Sequence, residues 1–210
     1  MALADELLLV ALDDTSGRTV GAKMNLDTAL AAALLVELAL AERISVAPAE
    51  AGWLERGKVT VINGRPTDDP DLDAVLAKLL AKEGQKVKNL VSTVSWRPIS
   101  RGLRDRRLAR LVQQGVLVEN RTEVLGLRRY LTRDSGPQQE VRARLKSALI
   151  DGLTPTERTV ALIALLEASG ILHKLFPAEQ RKLVKTRARQ LSEGDWAAKA
   201  VKDAIAEASG

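Results

Sequence analysis

Leucine occupies every fourth position from Leu26 through Leu30 and Leu34 to Leu38. This spacing puts an apolar stripe on one face of an α-helix, so it predicts a long helix that packs against a core. Asn25 precedes the first leucine and is the expected N-cap. Aromatic residues make up only 2 % of the chain. Leu, Val, Ile and Ala must therefore fill the core, which favours helices over a β-sandwich.

The rest of the chain predicts more helices and two small hairpins. The predicted strands are Ile44–Ala47, Lys58–Ile62, Val116–Glu119 and Val124–Thr132. The predicted helices follow Asp69, begin near Val87, after Pro98 and at Pro137, Thr154 and Pro177, and include Trp196–Ile205. We find no repeat, linker or break in composition. The expected fold is mainly α: a single-domain helical bundle over residues 1–210, ringed by amphipathic helices and small β-hairpins.

Two of these helix starts carry specific capping sequences. Asp69-Pro70 offers a carboxylate N-cap followed by proline at the first helical position. Thr154-Pro155-Thr156-Glu157 has the form of a capping box, with Thr154 as the expected N-cap and Pro155 as the first helical residue.

Residue types needed for catalysis or metal binding are scarce. The chain has no cysteine and one histidine, His173, which argues against thiolate sites, imidazole clusters and histidine relays. No glycine-rich phosphate loop or serine elbow is present, and the pair Asp13-Asp14 is best explained as part of a turn. We therefore expect a non-enzymatic protein with no cofactor and no metal site.

No apolar run reaches the roughly 18–20 residues that a transmembrane helix requires. Asp5 and Glu6 near the start are unlike the basic region of a signal peptide. We expect a cytoplasmic protein whose membrane contacts, if it makes them, are peripheral.

Three clusters of basic residues favour an anionic partner. Subtracting 27 acidic from 32 basic residues leaves a net charge of +5, which is too modest to identify that partner. The guanidinium group of arginine suits phosphate because its planar fork donates two parallel hydrogen bonds. The first cluster comprises Arg97, Arg101, Arg104, Arg106, Arg107 and Arg110; the second, Arg128, Arg129 and Arg133; the third, Arg142, Arg144 and Lys146.

The order of elements allows an alternative function in nucleic-acid binding. A basic helix over Arg101–Arg110, the turn Gln114-Gly115 and a hairpin with Arg128 and Arg129 imitate a winged helix. The modest net charge makes nucleic acid a less favoured partner. A pure protein–protein scaffold is a third hypothesis.

An ordered set of segments resembles the Golgi phosphoprotein 3 family along nearly the whole chain. The matching segments are Glu6–Asp14 with Gly17, Leu34–Leu40 running to Arg43-Ile44, Trp96-Arg97-Pro98, Leu103–Ala109, Gly115–Leu117, and Ala161–Leu165 leading to Ala168-Ser169. The acidic N-terminal extension of eukaryotic members is missing, so the chain looks like a prokaryotic member.

This resemblance implies a non-catalytic peripheral membrane adaptor. Eukaryotic members bind phosphatidylinositol 4-phosphate in a basic pocket and gather the cytoplasmic tails of membrane enzymes. The expected partners are thus an anionic phospholipid or phosphoinositide surface, on the cytoplasmic face of a membrane, and membrane-protein tails. At the positions that match the pocket tryptophan and one pocket arginine this chain has Ala22 and Ala31. The sequence therefore names neither the headgroup nor an oligomeric state.

The resemblance and the basic clusters together give candidate residues. Those expected to bind the headgroup are Arg142, Arg144, Lys23, Arg128 and Arg129. Those expected at the membrane surface are Trp53 and Lys146, because tryptophan favours the interface and lysine anionic lipid. Packing within its own hairpin is an equally plausible role for Trp53.

Overall fold

The computed structural model describes residues 1–13, 16–20, 23–48, 51–82, 84–95, 97–121, 128–193 and 197. The α-helices of these ranges are α1 (Leu3–Ala11), α2 (Lys23–Leu40), α3 (Pro70–Ala81), α4 (Val87–Ser95), α5 (Arg97–Gln113), α6 (Gly136–Lys146), α7 (Glu157–Ala168) and α8 (Arg181–Leu191). The strands are β1 (Ile44–Val46), β2 (Val59–Val61), β3 (Leu117–Arg121) and β4 (Arg128–Thr132). The predicted class, mainly α with small hairpins, is confirmed.

Helices α1 and α2 form the centre of the molecule. Every residue of α1 is buried, and α2 is buried all round from Leu26 to Val36. The prediction of a one-sided apolar stripe was wrong for α2, because α1, α3, α4, α5 and α7 all pack around it. The run Ala31–Ala33 has the small side chains that let neighbouring helices approach closely.

Two halves of the molecule flank this central pair. Helices α5 and α7 each pack against both α1 and α2, and thus occupy its two opposite grooves. We call the side with α3, α4, α5 and both hairpins the hairpin half. It is joined by packing of α3 on β2, α4 on α5 and α5 on β3. The side with α6, α7 and α8, where α6 continues into a π-helical turn (Ser147–Asp151) that packs on α8, is the α8 half.

Both hairpins are antiparallel and short. Ile44 pairs with Val61 in the first and Leu117 with Thr132 in the second, so the predicted strands are confirmed in type and approximate position. The loop of the second hairpin, and the predicted helix Trp196–Ile205 apart from Ala197, lie outside the described residues.

The helix starts confirm one capping prediction and correct two. Asp69 caps α3, accepting hydrogen bonds from the backbone N–H groups of Asp71 and Leu72. Asn25 is not an N-cap, because α2 begins at Lys23; its side-chain amide instead donates to the carbonyl of Ser169 at 3.2 Å. Helix α7 is capped by Thr156 and not by Thr154, because the Thr156 hydroxyl lies where it accepts from the N–H of Thr159.

Candidate anion-binding surface

Arginines of α5 form ion pairs with carboxylates of α2 and of the start of α3. Arg107 is completely buried and donates two hydrogen bonds of 2.7 Å to the two carboxylate oxygens of Asp69. Arg107 Nε also lies 2.9 Å from Asp71. Further pairs are Arg110 with Asp69, Arg106 with Asp71, and Arg104 with Asp27. These residues join α5 to α2 and α3.

Burial and these ion pairs shift the pKa values of the carboxyls in opposite directions. For Asp5, desolvation by burial raises the pKa, and the attraction of Arg107, 3.6 Å away, offsets this only in part. For Asp69, burial alone would also raise the pKa, but hydrogen bonds from Arg107 and Arg110 outweigh it and hold the pKa below its usual value. The cluster is therefore internal and structural.

This arrangement argues against the winged-helix hypothesis. A recognition helix must present its basic side chains to the DNA grooves and phosphates. Arg107 is buried, and Arg104, Arg106 and Arg110 are paired with acidic residues. The side chain of Arg101 lies outside the described residues. The four described members of the first basic cluster thus stabilise the fold, because carboxylates of the protein already engage their guanidinium groups.

A close backbone contact brings a different set of arginines together. Gly17 has φ of +61°, and a Cβ there would lie 2.9 Å from the carbonyl oxygen of Tyr130. The N–H of Tyr130 in turn donates to the carbonyl of Gly17 at 3.3 Å. Only glycine fits this approach without strain. Arg18 therefore directly follows the residue that contacts β4, the strand on which Arg128 and Arg129 are exposed. We call Arg18, Arg128 and Arg129 the arginine surface.

The charge of this surface is partly balanced at one residue. Arg128 lies 3.4 Å from Glu119 across the hairpin, with more than half of its side chain exposed. A hydrogen bond with Tyr130, with Glu119 nearby, raises the pKa of Arg128. Arg18 and Arg129 are exposed and make no ion pair with the described residues. The sequence did not single out Arg18, because the contact between Gly17 and Tyr130 joins segments more than a hundred residues apart.

The third basic cluster lies in the other half of the molecule. Arg142 and Lys146 are exposed on α6. Arg144 is half-buried, and its guanidinium lies 3.0 Å from Glu6 of α1. Residues two apart on a helix do not face each other. The expected joint headgroup site of Arg142 and Arg144 is therefore not formed, because Arg144 faces the core.

Glu6, which pairs with Arg144 of α6, also links α1 to α7. Arg158 of α7 lies 3.1 Å from both Glu6 and Glu37, and Glu37 accepts from the N–H of Leu3 at 2.7 Å. Burial would lower the pKa of Arg158, but hydrogen bonding to Glu37 and the charges of both glutamates raise it. Arg144 and Arg158 thus hold α1 against α6 and α7.

Trp53 does not pack within its hairpin. Its side chain is 79 % exposed and its neighbour Leu54 is 56 % exposed. Lys86 Nζ donates to the Trp53 carbonyl at 3.4 Å, which fixes the base of the loop. This loop follows the C-terminal end of α2, whereas the arginine surface lies near its N-terminal end. Both belong to the hairpin half.

The remaining candidates concern the start of α2. Lys23 is the first residue of this helix, near the loop that carries Arg18, but its side chain lies outside the described residues, as does Ala22. Ala31 is fully buried. In this chain the position of Ala31 therefore faces the core and presents no group to a surface site.

The described residues contain no helix long and apolar enough to cross a membrane. They also contain no group of three His, Asp or Glu side chains suited to a metal ion. In comparison with known families, the model of the family described as Golgi phosphoprotein 3 (GPP34) matches residues 3–208. The match covers nearly the whole chain. This protein therefore belongs to the Golgi phosphoprotein 3 (GPP34) family.

Proposed function

We propose that this protein is a non-catalytic peripheral membrane adaptor that docks its hairpin half on anionic, phosphoinositide-like lipid headgroups. The observation that supports the proposal is the contact between Gly17 and Tyr130, which joins two segments more than a hundred residues apart that carry the exposed Arg18, Arg128 and Arg129. Membership of the Golgi phosphoprotein 3 family supports a role at membranes.

Electrostatic attraction and insertion of apolar side chains make separate contributions to the proposed docking. Each basic residue near an anionic bilayer contributes about 1 kcal/mol, so Arg18 and Arg129 together contribute about 2 kcal/mol, and Arg128 adds less because Glu119 partly balances its charge. Insertion of Trp53 and Leu54 into the interface adds apolar burial at the far end of α2. This combination gives reversible attachment that weakens with added salt.

The other candidate residues take different places in this proposal. Lys23 is the first residue of α2, and its expected contribution to headgroup binding stays a prediction from the sequence. Arg142 and Lys146 lie in the α8 half and are left outside the docking face, and Arg144 supports α1 through Glu6. Recruitment of membrane-protein tails, the adaptor part of the role, is proposed from family membership alone.

Co-sedimentation with phosphatidylcholine vesicles, with and without phosphatidylserine, tests the proposal. We expect binding only with phosphatidylserine at low salt, and a loss of more than about tenfold in the variant Arg18→Glu, Arg129→Glu. The control Lys182→Glu, Lys185→Glu makes the same change in charge on exposed positions of α8, in the other half, and should bind nearly as wild type. Binding without anionic lipid, or equal loss in both variants, contradicts the proposal. An arm with phosphatidylinositol 4-phosphate tests headgroup preference.

A further inference from the structure

Helix α8 presents a second cationic surface, made of residues outside the three basic clusters named above. It carries five basic residues and no acidic residue, namely Arg181, Lys182, Lys185, Arg187 and Arg189. Val184 and Ala188 are buried against the body of the protein, so α8 is anchored by its apolar side. Its charges consequently face outward.

The outward charges form a stripe with little compensation. Lys182, Lys185 and Arg189 follow the i, i+3, i+7 spacing of one helix face. Arg189 has a distant acidic neighbour, Glu167, at 3.9 Å. Lys182 and Lys185 are exposed and have no acidic partner among the described residues. Within the described part of the chain, no carboxylate thus compensates the charges of Lys182 and Lys185.

Exposed leucines lie on the flank of α8 that carries Arg187, because Leu183 and Arg187 are four residues apart. Leu183 of α8 is 43 % exposed, and Leu153 is 62 % exposed. The two belong to adjoining elements, because the Arg187 guanidinium lies over Gly152, where a Cβ would be 2.6 Å from Nη1. The surface thus offers cations for acidic groups and apolar side chains for an apolar residue. We call Lys182, Lys185, Arg189, Leu183 and Leu153 the α8 surface.

We propose that the α8 surface docks an acidic protein segment that carries an apolar side chain. With α8 being 11 residues long, its length of about 16 Å matches about five residues of extended chain. The choice of a protein over a bilayer rests on the proposed function. A membrane held by the arginine surface lies on the hairpin half, and the α1–α2 pair separates that half from α8.

Fluorescence anisotropy of labelled synthetic peptides tests this proposal on the full chain. The probe is a short peptide of alternating glutamate and leucine, and the comparison peptides replace its glutamates by lysine or its leucines by serine. We expect the variant Lys182→Glu, Lys185→Glu to weaken the binding of the probe by about tenfold or more. Both comparison peptides should bind more weakly than the probe.

The variant Arg18→Glu, Arg129→Glu is the matched control, because it makes the same change in net charge on the other half. It should retain peptide binding but lose binding to phosphatidylserine vesicles. The variant Lys182→Glu, Lys185→Glu should lose peptide binding but retain vesicle binding. Equal loss of peptide binding in both variants would mean that net charge alone attracts the peptide, which overturns the proposal. So would loss of vesicle binding in the α8 variant, since α8 would then contact the bilayer. If the wild type does not bind phosphatidylserine vesicles, the proposed function is wrong. The peptide measurements still test the α8 surface in that case.

Discussion

The guanidinium of Arg107, buried within the core, donates two parallel hydrogen bonds to Asp69, the residue that caps α3. The Asp69 carboxylate thus caps the N-terminus of α3 and also neutralises the buried cation of Arg107 on α5. Arg110 shares this carboxylate, and Asp71 receives Arg106 and Arg107. An arginine-rich segment that looks like a nucleic-acid helix in sequence therefore fixes the position of α5 against α3.

Replacing Arg107 by methionine should strongly destabilise the protein. The variant keeps much of the side-chain volume but leaves Asp69 and Asp71 with one fewer cation, and breaking a buried pair costs about 3–5 kcal/mol. Urea unfolding followed by circular dichroism measures this loss. Arg129→Met, at an exposed position, serves as the control and should change the unfolding free energy by less than about 0.5 kcal/mol. Similar values for the two variants would contradict a structural role for the buried arginine.

The pH dependence of stability should differ in sign between Asp69 and Asp5. Asp69 has a lowered pKa, so its contribution is complete above the unfolded value of about 3.9 and is lost as the pH falls through the folded pKa. Asp5 has a raised pKa, so the folded state binds its proton more tightly. Its charged form then costs stability above the raised pKa, and that cost vanishes as the pH falls below the unfolded value.

Two isosteric variants make this difference measurable. Asp69→Asn should be less stable than wild type near neutral pH, with a difference that shrinks on acidification below about pH 4. Asp5→Asn should be at least as stable as wild type near neutral pH, and any advantage should disappear on acidification. Urea unfolding over a pH series gives both curves. A destabilised Asp5→Asn variant at neutral pH would show that its attraction to Arg107 outweighs its burial.

Gly17→Ala should disturb both the fold and the arginine surface. The change forces a side chain into the left-handed region and against the Tyr130 carbonyl, at a cost above the roughly 1 kcal/mol of the backbone strain alone. Gly57→Ala is a matched control, since Gly57 has φ of +73° but nothing within 4 Å of a Cβ. Urea unfolding and vesicle co-sedimentation should both show the larger effect for Gly17→Ala. Equal effects would mean that the close approach to β4 contributes nothing.

Local patterns predicted the elements of this fold better than its surfaces. The carboxylate cap at Asp69 and the short hairpins follow from neighbouring residues, and they are confirmed. The partners of the α5 arginines lie 35 to 41 residues away for Asp69 and Asp71, and 77 for Asp27. No local pattern reveals which carboxylates meet them. The same basic residues therefore looked exposed in sequence.

In the candidate site too, long-range contacts decide what local sequence patterns leave open. The exposure of Trp53 and the approach of Arg18 to β4 depend on how the loops fold back on the helices, which sequence spacing does not specify. Helical spacing places Arg142 and Arg144 on different faces, but only the position of Glu6 decides that Arg144 faces inward. Likewise, the left-handed φ of Gly17 and its contact with Tyr130 become visible only in the folded chain.

Single-cysteine labelling tests the central claim, one-sided docking by the hairpin half, most directly. The chain has no cysteine, so Leu54→Cys, Asn120→Cys and Gln190→Cys each carry one environment-sensitive fluorophore, on the first hairpin, the second hairpin and α8. With phosphatidylserine vesicles, the labels at positions 54 and 120 should shift to shorter emission wavelengths while the label at position 190 stays unchanged. A shift at position 190 with none at positions 54 and 120 would contradict the account.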